Sequence, residues 1–253
     1  MSLSHDERRR YRRHLLLREI GGQGQKALAA AKVLVVGAGG LGCPILSYLA
    51  AAGVGRIGIC DGDVVELSNL QRQTLYTTSD VGQLKAEMAR KRLLAINPLI
   101  DIRTHTVFMK EDNAVSLIHP YDIIVEGLDR YESRYTVNEA CRRERKTLVS
   151  AAIGRFDGQV AVFRPGQPDE PCYACLVSEA PDDEAACEAE GVLGAVPGVV
   201  GSLAAIEVIK LICDMHNPLR RELMIYQGLE GRMRRVRLSR DPACTVCGTG
   251  RRT

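Results

Sequence analysis

Four groups of residues have the types and spacing to do chemistry. Gly37, Gly39 and Gly42 fit G-x-G-x-x-G, and Asp61 follows the last of them by nineteen residues. Glycines let backbone N–H groups approach phosphate oxygens, a helix start favours negative charge, and an acid at that spacing can bind a ribose hydroxyl. The loop serves NAD and ATP alike, and a plain strand-to-helix turn would look the same. The second group is Asn69, Arg72 and Gln73 in the run SNLQRQ, with Lys85 beyond it. A dehydrogenase does not need these groups so soon after a ribose acid, whereas a triphosphate requires cationic clamps that Arg72 and Lys85 can supply. The alternative is a polar connecting loop, with Lys85 a solvated residue near a helix start.

The third group is Asp129, at the end of the apolar run DIIVEGL. Open α/β sheets bind ligands outside the carboxyl ends of their strands. A carboxylate there either holds Mg²⁺ against phosphates or, with Glu132, forms a capping box for the next helix. The fourth group is two C-x-x-C pairs, Cys172 with Cys175 and Cys244 with Cys247. Four thiolates suffice for a closed tetrahedral zinc site, provided the fold joins pairs separated far more widely than in a small zinc finger. Buried thiols, or a single redox pair, are the alternatives. A further cysteine, Cys187, lies among Glu179, Asp182, Asp183, Glu184, Glu188 and Glu190 with no base nearby. Negative neighbours disfavour a thiolate, so this is a poor setting for a constitutive nucleophile.

The elements that must position these groups follow from periodicity. Helices are expected over 5–20 and 24–32, then a strand at 32–36 running into the glycine loop, a helix ending at Gly53, and a strand at 56–60 ending in Asp61. This is a βαβ unit. Further expectations are a helix from Lys85 to Ile96, strands at 100–107 and 122–126, a helix from Tyr131 to Arg145, and the strands LVSAAI and QVAVFRP. The last third carries an acidic loop at 178–192, a small-residue helix at 198–213 and a hairpin over 223–238. The alternation implies an α/β fold: a Rossmann-like, largely parallel sheet with flanking helices, plus a C-terminal strand region carrying the cysteine pairs. A single domain over 1–253 is expected, with N-terminal helices at 1–31, a nucleotide-binding core at 32–150 and a carrier-docking and zinc region at 151–253.

Composition excludes several classes. A formal net charge of +3 on 253 residues, three Phe and no Trp do not describe a nucleic-acid platform. The Arg-rich segments at 8–13 and 232–240 read as solvated faces. The longest apolar run, Val196 to Cys213, carries Glu207 and Lys210 and therefore reads as a buried helix and not a membrane span. Nine cysteines, an odd number, with no apolar signal core, read as reduced thiols in a cytoplasmic protein.

GAGGLG, DGDVVELSNLQRQ, Lys85, Asp129, the two cysteine pairs and Cys187, in that order, resemble the ThiF/MoeB/HesA superfamily, prokaryotic relatives of ubiquitin-activating enzymes. The resemblance runs from about Arg10 to Gly248. It implies ATP-dependent adenylylation of the C-terminal glycine carboxylate of a ubiquitin-like sulfur-carrier protein, with release of pyrophosphate. It further implies a homodimer in which Arg13 reaches the partner's ATP. Gly40 would lie by the phosphates, Asp61 at the ribose, and Asn69, Arg72 and Lys85 around the triphosphate. Asp129 would be the Mg²⁺-associated acid and the paired cysteines zinc ligands, with Cys187 the crossover-loop cysteine of sulfur transfer. The usual Asp-x-x-Asp-Asn segment is here Glu126-Gly-Leu-Asp129-Arg130, a departure that puts Arg130 where the family has the Asn of a local nucleotide contact. No rhodanese-like extension is expected after the second pair, and the sulfur donor is expected to be a separate cysteine desulfurase or sulfurtransferase. The competing readings are an NAD-dependent oxidoreductase, which leaves SNLQRQ and the cysteine pairs idle, and an ATP-dependent activator of tRNA or peptides.

Overall fold

The computed structural model describes residues 3–167, 169–179, 191–216 and 218–248. The first helix, α1 (His5–Arg10), starts with a reciprocal cap in which Ser4 Oγ accepts from Glu7 N–H and the Glu7 carboxylate accepts from Ser4 N–H. The single helix expected over 5–20 breaks at Tyr11, and α2 (Arg12–Leu15) is one short turn. Tyr11 itself is the cause. Its ring lies over Gly53, where a Cβ would come within 2.5 Å, and its hydroxyl accepts from Asn97 Nδ2 at 2.9 Å. That anchor is long-range, so helix propensity cannot register it.

The chain continues through α3 (Gly21–Ala30), β1 (Lys32–Val36), α4 (Gly42–Ala52), β2 (Arg56–Cys60), α5 (Lys85–Ile96), β3 (Asp101–His105), α6 (Ala114–Ile118), β4 (Ile123–Glu126) and α7 (Tyr131–Glu144). Then come β5 (Thr147–Ile153), β6 (Asp157–Phe163), α8 (Tyr173–Leu176), α9 (Ala195–Ile212), β7 (Glu222–Gln227) and β8 (Arg232–Arg237). Among the described residues the strands form one sheet in the order β3-β2-β1-β4-β5-β6-β7-β8. The first five are parallel. The last three are antiparallel, because the turn after β5, closed by Gly154 N–H to Asp157 O at 2.9 Å, reverses the chain. The sheet is thus Rossmann-like over its parallel half and mixed overall. The 223–238 hairpin extends it and does not stand apart.

Both faces of the parallel half of the sheet are covered, whereas β8 at its far edge is exposed along its length. On β1, Val33 and Val35 point into a core with Leu46, Leu49, Ile57, Leu93, Val200 and Val208. Leu34 and Val36 point into the other core, with Ile118, Ile124, Val137, Leu148 and Phe163. The two-residue period of a strand sends alternate side chains to opposite faces, and a strand apolar on both is the mark of a central parallel position. Helix α9 is long and apolar enough to cross a membrane by composition. Here it packs on α4, β5 and β6. It also carries a buried Glu207 that takes Lys210 Nζ at 2.7 Å and Leu219 N–H at 2.8 Å. Core packing accounts for its hydrophobicity.

Candidate functional site

Three loops leave the carboxyl ends of adjacent strands: the glycine loop after β1, the Asp61 loop after β2 and the Asp129 loop after β4. The chain crosses from β1 to β2 on one side and reaches β4 on the other, and at such a switch point a crevice opens between diverging loops. Backbone bonds keep the loops in step: Gly37 N–H to Cys60 O at 2.9 Å and Gly127 N–H to Val36 O at 3.2 Å. Between them lies a cleft of about 820 Å³, lined by Gly37, Asp61, Phe108 and Asp129 among others.

The glycine loop is built for close backbone approach. Gly37 has φ +92°, which other residues rarely adopt, and a Cβ on Gly42 would fall 2.1 Å from Gly37 O. No side chain caps the start of α4, where Cys43 N–H goes to Gly39 O at 2.9 Å and Pro44 has no N–H, so an anion would meet the amides of the glycine loop ahead of the helix. Asp61 closes the loop: Oδ2 accepts from Ala38 N–H at 2.7 Å and Oδ1 from Asp63 N–H at 2.8 Å. Burial pushes the Asp61 carboxyl above its ordinary range, against the lowering effect of those N–H groups and Lys85.

The SNLQRQ segment folds back against the same loop. A Cβ on Gly40 would lie 3.6 Å from Arg72 Cγ, and one on Gly39 would lie 3.6 Å from Gln73 Nε2. Gln73 is buried and its Oε1 has no partner among the described residues, a polar atom left for a ligand. Arg72 donates to Ser68 O at 3.2 Å. Lys85 is buried, its Nζ 3.0 Å from Asp63 Oδ2. Asn69 shapes the turn: Oδ1 accepts from Glu66 N–H at 3.3 Å. The cation pair thus stands beside the glycine loop, where an anionic chain would run.

Asp129 is exposed and makes no hydrogen bond or ion pair among the described residues. The capping-box reading fails: the N-cap of α7 is Arg130, and no side chain caps that end. A free carboxylate on a cleft wall suits Mg²⁺, which binds through one or two carboxylates together with phosphates.

The two cysteine pairs, far apart in sequence, meet. Sγ–Sγ distances are 4.0 Å for Cys172–Cys175, 3.7 Å for Cys172–Cys244 and 3.4 Å for Cys175–Cys247, with all four sulfurs within 4.8 Å of one another. A tetrahedron with Zn–S bonds of about 2.3 Å has edges of about 3.8 Å. Backbone N–H groups of Asp241 and Cys247 point at Cys175 and Cys244 sulfurs at 3.4 and 3.5 Å. Burial pushes the Cys175 thiol up to about 11 and Cys172 higher still. Four sulfurs brought together at these distances form a donor set that fits a bound metal.

A sequence profile of the ThiF family matches residues 11–246. The chain belongs to the ThiF family. It is 46% identical over 253 residues to the sulfur carrier protein adenylyltransferase of Thermus thermophilus, covering 98% of this chain and 93% of that protein. It is 45% identical over 250 residues to the adenylyltransferase and sulfurtransferase MOCS3 of Mus musculus, covering 98% of this chain and 54% of that protein, so it spans about half the mouse protein's length. Among solved structures, E. coli MccB with ATP is similar at TM-score 0.81 and 26% identity, over 94% of this chain and 74% of that one.

Of the expected site residues of this ThiF-family chain, Gly37, Asp61 and Asp129 line the cleft, Asn69, Arg72, Gln73 and Lys85 are not among its lining residues, and Arg13 is not brought to it. Arg13 is exposed on α2, which follows a segment held at the opposite end of the strands: Arg10 donates to Ile96 O at 2.8 Å and Tyr11 rests on Gly53, just before β3 and β2 begin. Cys187 lies outside the described residues. The sequence reading also missed residues that shape the site. Tyr76 O–H donates to Ala38 O at 2.8 Å, holding the glycine loop from behind. Glu126 and Arg134 are buried beside the Asp129 loop. The sequence places Glu126 at the first position of Glu126-Gly-Leu-Asp129-Arg130, but its burial and its pairing with Arg134 are visible only in the fold.

Proposed function

We propose that this chain uses ATP to adenylylate the C-terminal carboxylate of a small ubiquitin-like sulfur-carrier protein, releasing pyrophosphate. The observation that carries the reading is that Gly37, Asp61 and Asp129, the last without a partner among the described residues, line one cleft, with Arg72 against the glycine loop and Lys85 paired to Asp63 of the cleft wall. Asp61 takes the ribose and the loop amides the phosphates. Arg72 and Lys85 neutralise charge as the carrier carboxylate attacks the α-phosphate and the bond to pyrophosphate breaks. Chemistry of this kind is mostly positioning and electrostatic stabilisation. Asp129 is the side chain that would hold Mg²⁺, which supplies further charge neutralisation at the phosphates. Zinc is the ion that four thiolates at this spacing fit, and its role is structural.

The printed functions of the Thermus and mouse relatives support the carrier as substrate. The site is composite in this reading: a homodimer forms, and Arg13 of each subunit serves the other's cleft, in keeping with its distance from its own. A sulfur donor, a separate cysteine desulfurase or sulfurtransferase, then delivers a persulfide that displaces AMP, with Cys187 taking part in the transfer. Calorimetric titration of ATP and NAD, each with Mg²⁺, tests the nucleotide assignment. ATP binding weakened by Arg72→Ala supports it. Preferential binding of NAD would return the dehydrogenase reading.

A further inference from the structure

We propose that Arg134, paired with Glu126, is a positioning residue that clamps the loop presenting Asp129, and that it is seated on the cysteine cluster through Tyr173. The kinetic part of this inference rests on the adenylylation reading above; the clamp itself does not.

Glu126 is fully buried, and the Arg134 side chain is 8% exposed. Taking two such charges out of water costs several kcal/mol per ion, and apolar residues of similar size commonly serve stability as well. The pair is also not tight: Arg134 Nε stands 3.7 Å from Glu126 Oε2. Its hydrogen bonds go elsewhere. Glu126 Oε2 accepts from Leu128 N–H at 3.0 Å, and Arg134 Nε donates to Leu128 O at 2.8 Å, with Nη2 reinforcing the same carbonyl. Both backbone polar groups of the residue before Asp129 are therefore held by one buried charge pair. Nη2 also reaches Ala151 O at 2.9 Å, and Ser150 Oγ bonds Glu126 Oε1, which fixes the clamp to β5. Asp129 has no bond of its own among the described residues, and α7 starts without a side-chain cap. The direction of the Asp129 carboxylate is thus inherited from Leu128.

The clamp rests on the metal-ligand turn. The Arg134 guanidinium lies 5.8 Å from the centroid of the Tyr173 ring, between Cys172 and Cys175 in sequence. Tyr173 N–H donates to Asn138 Oδ1 at 3.0 Å, one turn further along α7. Tyr135 and Phe163 meet the same ring edge-on at 5.5 and 6.3 Å. Successive turns of α7 are therefore pinned to α8, and order in the cysteine turn is passed to the loop of Asp129.

The test uses the full chain with its metal and two variants, Arg134→Lys and the paired replacement Glu126→Leu with Arg134→Met. The paired variant removes the clamp without leaving a lone buried charge, so it separates positioning from stability. Amide hydrogen exchange over 126–130 is read without nucleotide, and pyrophosphate exchange is read against ATP and Mg²⁺. Expected for both variants are faster amide exchange over 126–130, a kcat lower by about 10- to 100-fold from misplacement of a catalytic group, and a raised Mg²⁺ requirement. KM for ATP stays within about twofold, because the ribose and loop contacts are untouched. In an Asp129→Asn background the Mg²⁺ shift from Arg134→Lys disappears, as coupling through one group requires. Unchanged amide exchange in the paired variant would overturn the clamp, whatever the activity. Wild-type kcat and Mg²⁺ dependence with loosened amides would overturn the positioning role. A wild-type chain inactive toward every carrier would count against the adenylylation reading alone, since amide exchange still decides the clamp.

Discussion

Replacing Asp129 by Ala should stop the chemistry and spare the fold. The side chain is exposed, has no hydrogen bond or ion pair among the described residues, and is not the N-cap of α7. A surface change away from caps and buried networks is worth within about 0.5 kcal/mol. In a chain of this size about 1 kcal/mol moves Tm by roughly 2–4 °C, so the shift should stay below about 2 °C. Had Asp129 capped the helix, the cost would be about 1 kcal/mol, with a correspondingly larger shift. The catalytic loss is of another order. Removing one preorganised group that stabilises transition-state charge costs about 3–4 kcal/mol, or 10²- to 10³-fold in kcat. Thermal unfolding and ATP–pyrophosphate exchange on the same preparation read the two quantities. A variant with wild-type exchange, or one whose loss tracks a large fall in Tm, would refute the assignment of Asp129 to the phosphates.

Asp61 gives a pH test. Burial raises its folded pKa, so it protonates at a higher pH than a free Asp, and ATP affinity should fall on acidification through that window. A carboxyl whose folded pKa is raised binds more protons folded than unfolded there, so its contribution to stability rises as pH falls, and the lost affinity is not unfolding. Asp61→Asn should erase this acid limb; its persistence would assign the limb to another group. Metal analysis should find one zinc per chain, and Cys244→Ser should lower Tm by more than about 5 °C, since structural zinc contributes folding free energy directly. A metal-free preparation of equal Tm would contradict it. Mixing inactive Arg13→Ala with inactive Asp129→Ala subunits should restore part of the activity, and no recovery despite demonstrated subunit exchange would place Arg13 outside the site.

Much of this site is legible in the sequence because its parts are local. Gly37 and Gly42 are required by a positive φ and by a contact only one turn away, so a short motif carries them. The cysteine pairs are legible by residue type, since four thiols invite one metal, although only the fold brings Cys172 within 3.7 Å of Cys244. What stayed hidden is tertiary. The break at Tyr11 comes from Gly53 and Asn97, far along the chain. Arg134 sits in a polar helical stretch and looks like a solvated residue until the fold buries it over Tyr173. Asp129 and Glu132 have the spacing of a capping box, yet Arg130 takes the N-cap because the clamped loop sets where the helix starts.

The most direct test of the central claim is ATP–pyrophosphate exchange by the purified chain with Mg²⁺, with and without a ubiquitin-like sulfur carrier ending in glycine. The account predicts label entering ATP only when the carrier is present, and a carrier lacking its terminal glycine giving none. Exchange indifferent to the carrier, or none with any carrier while the folded chain still binds ATP, would contradict it.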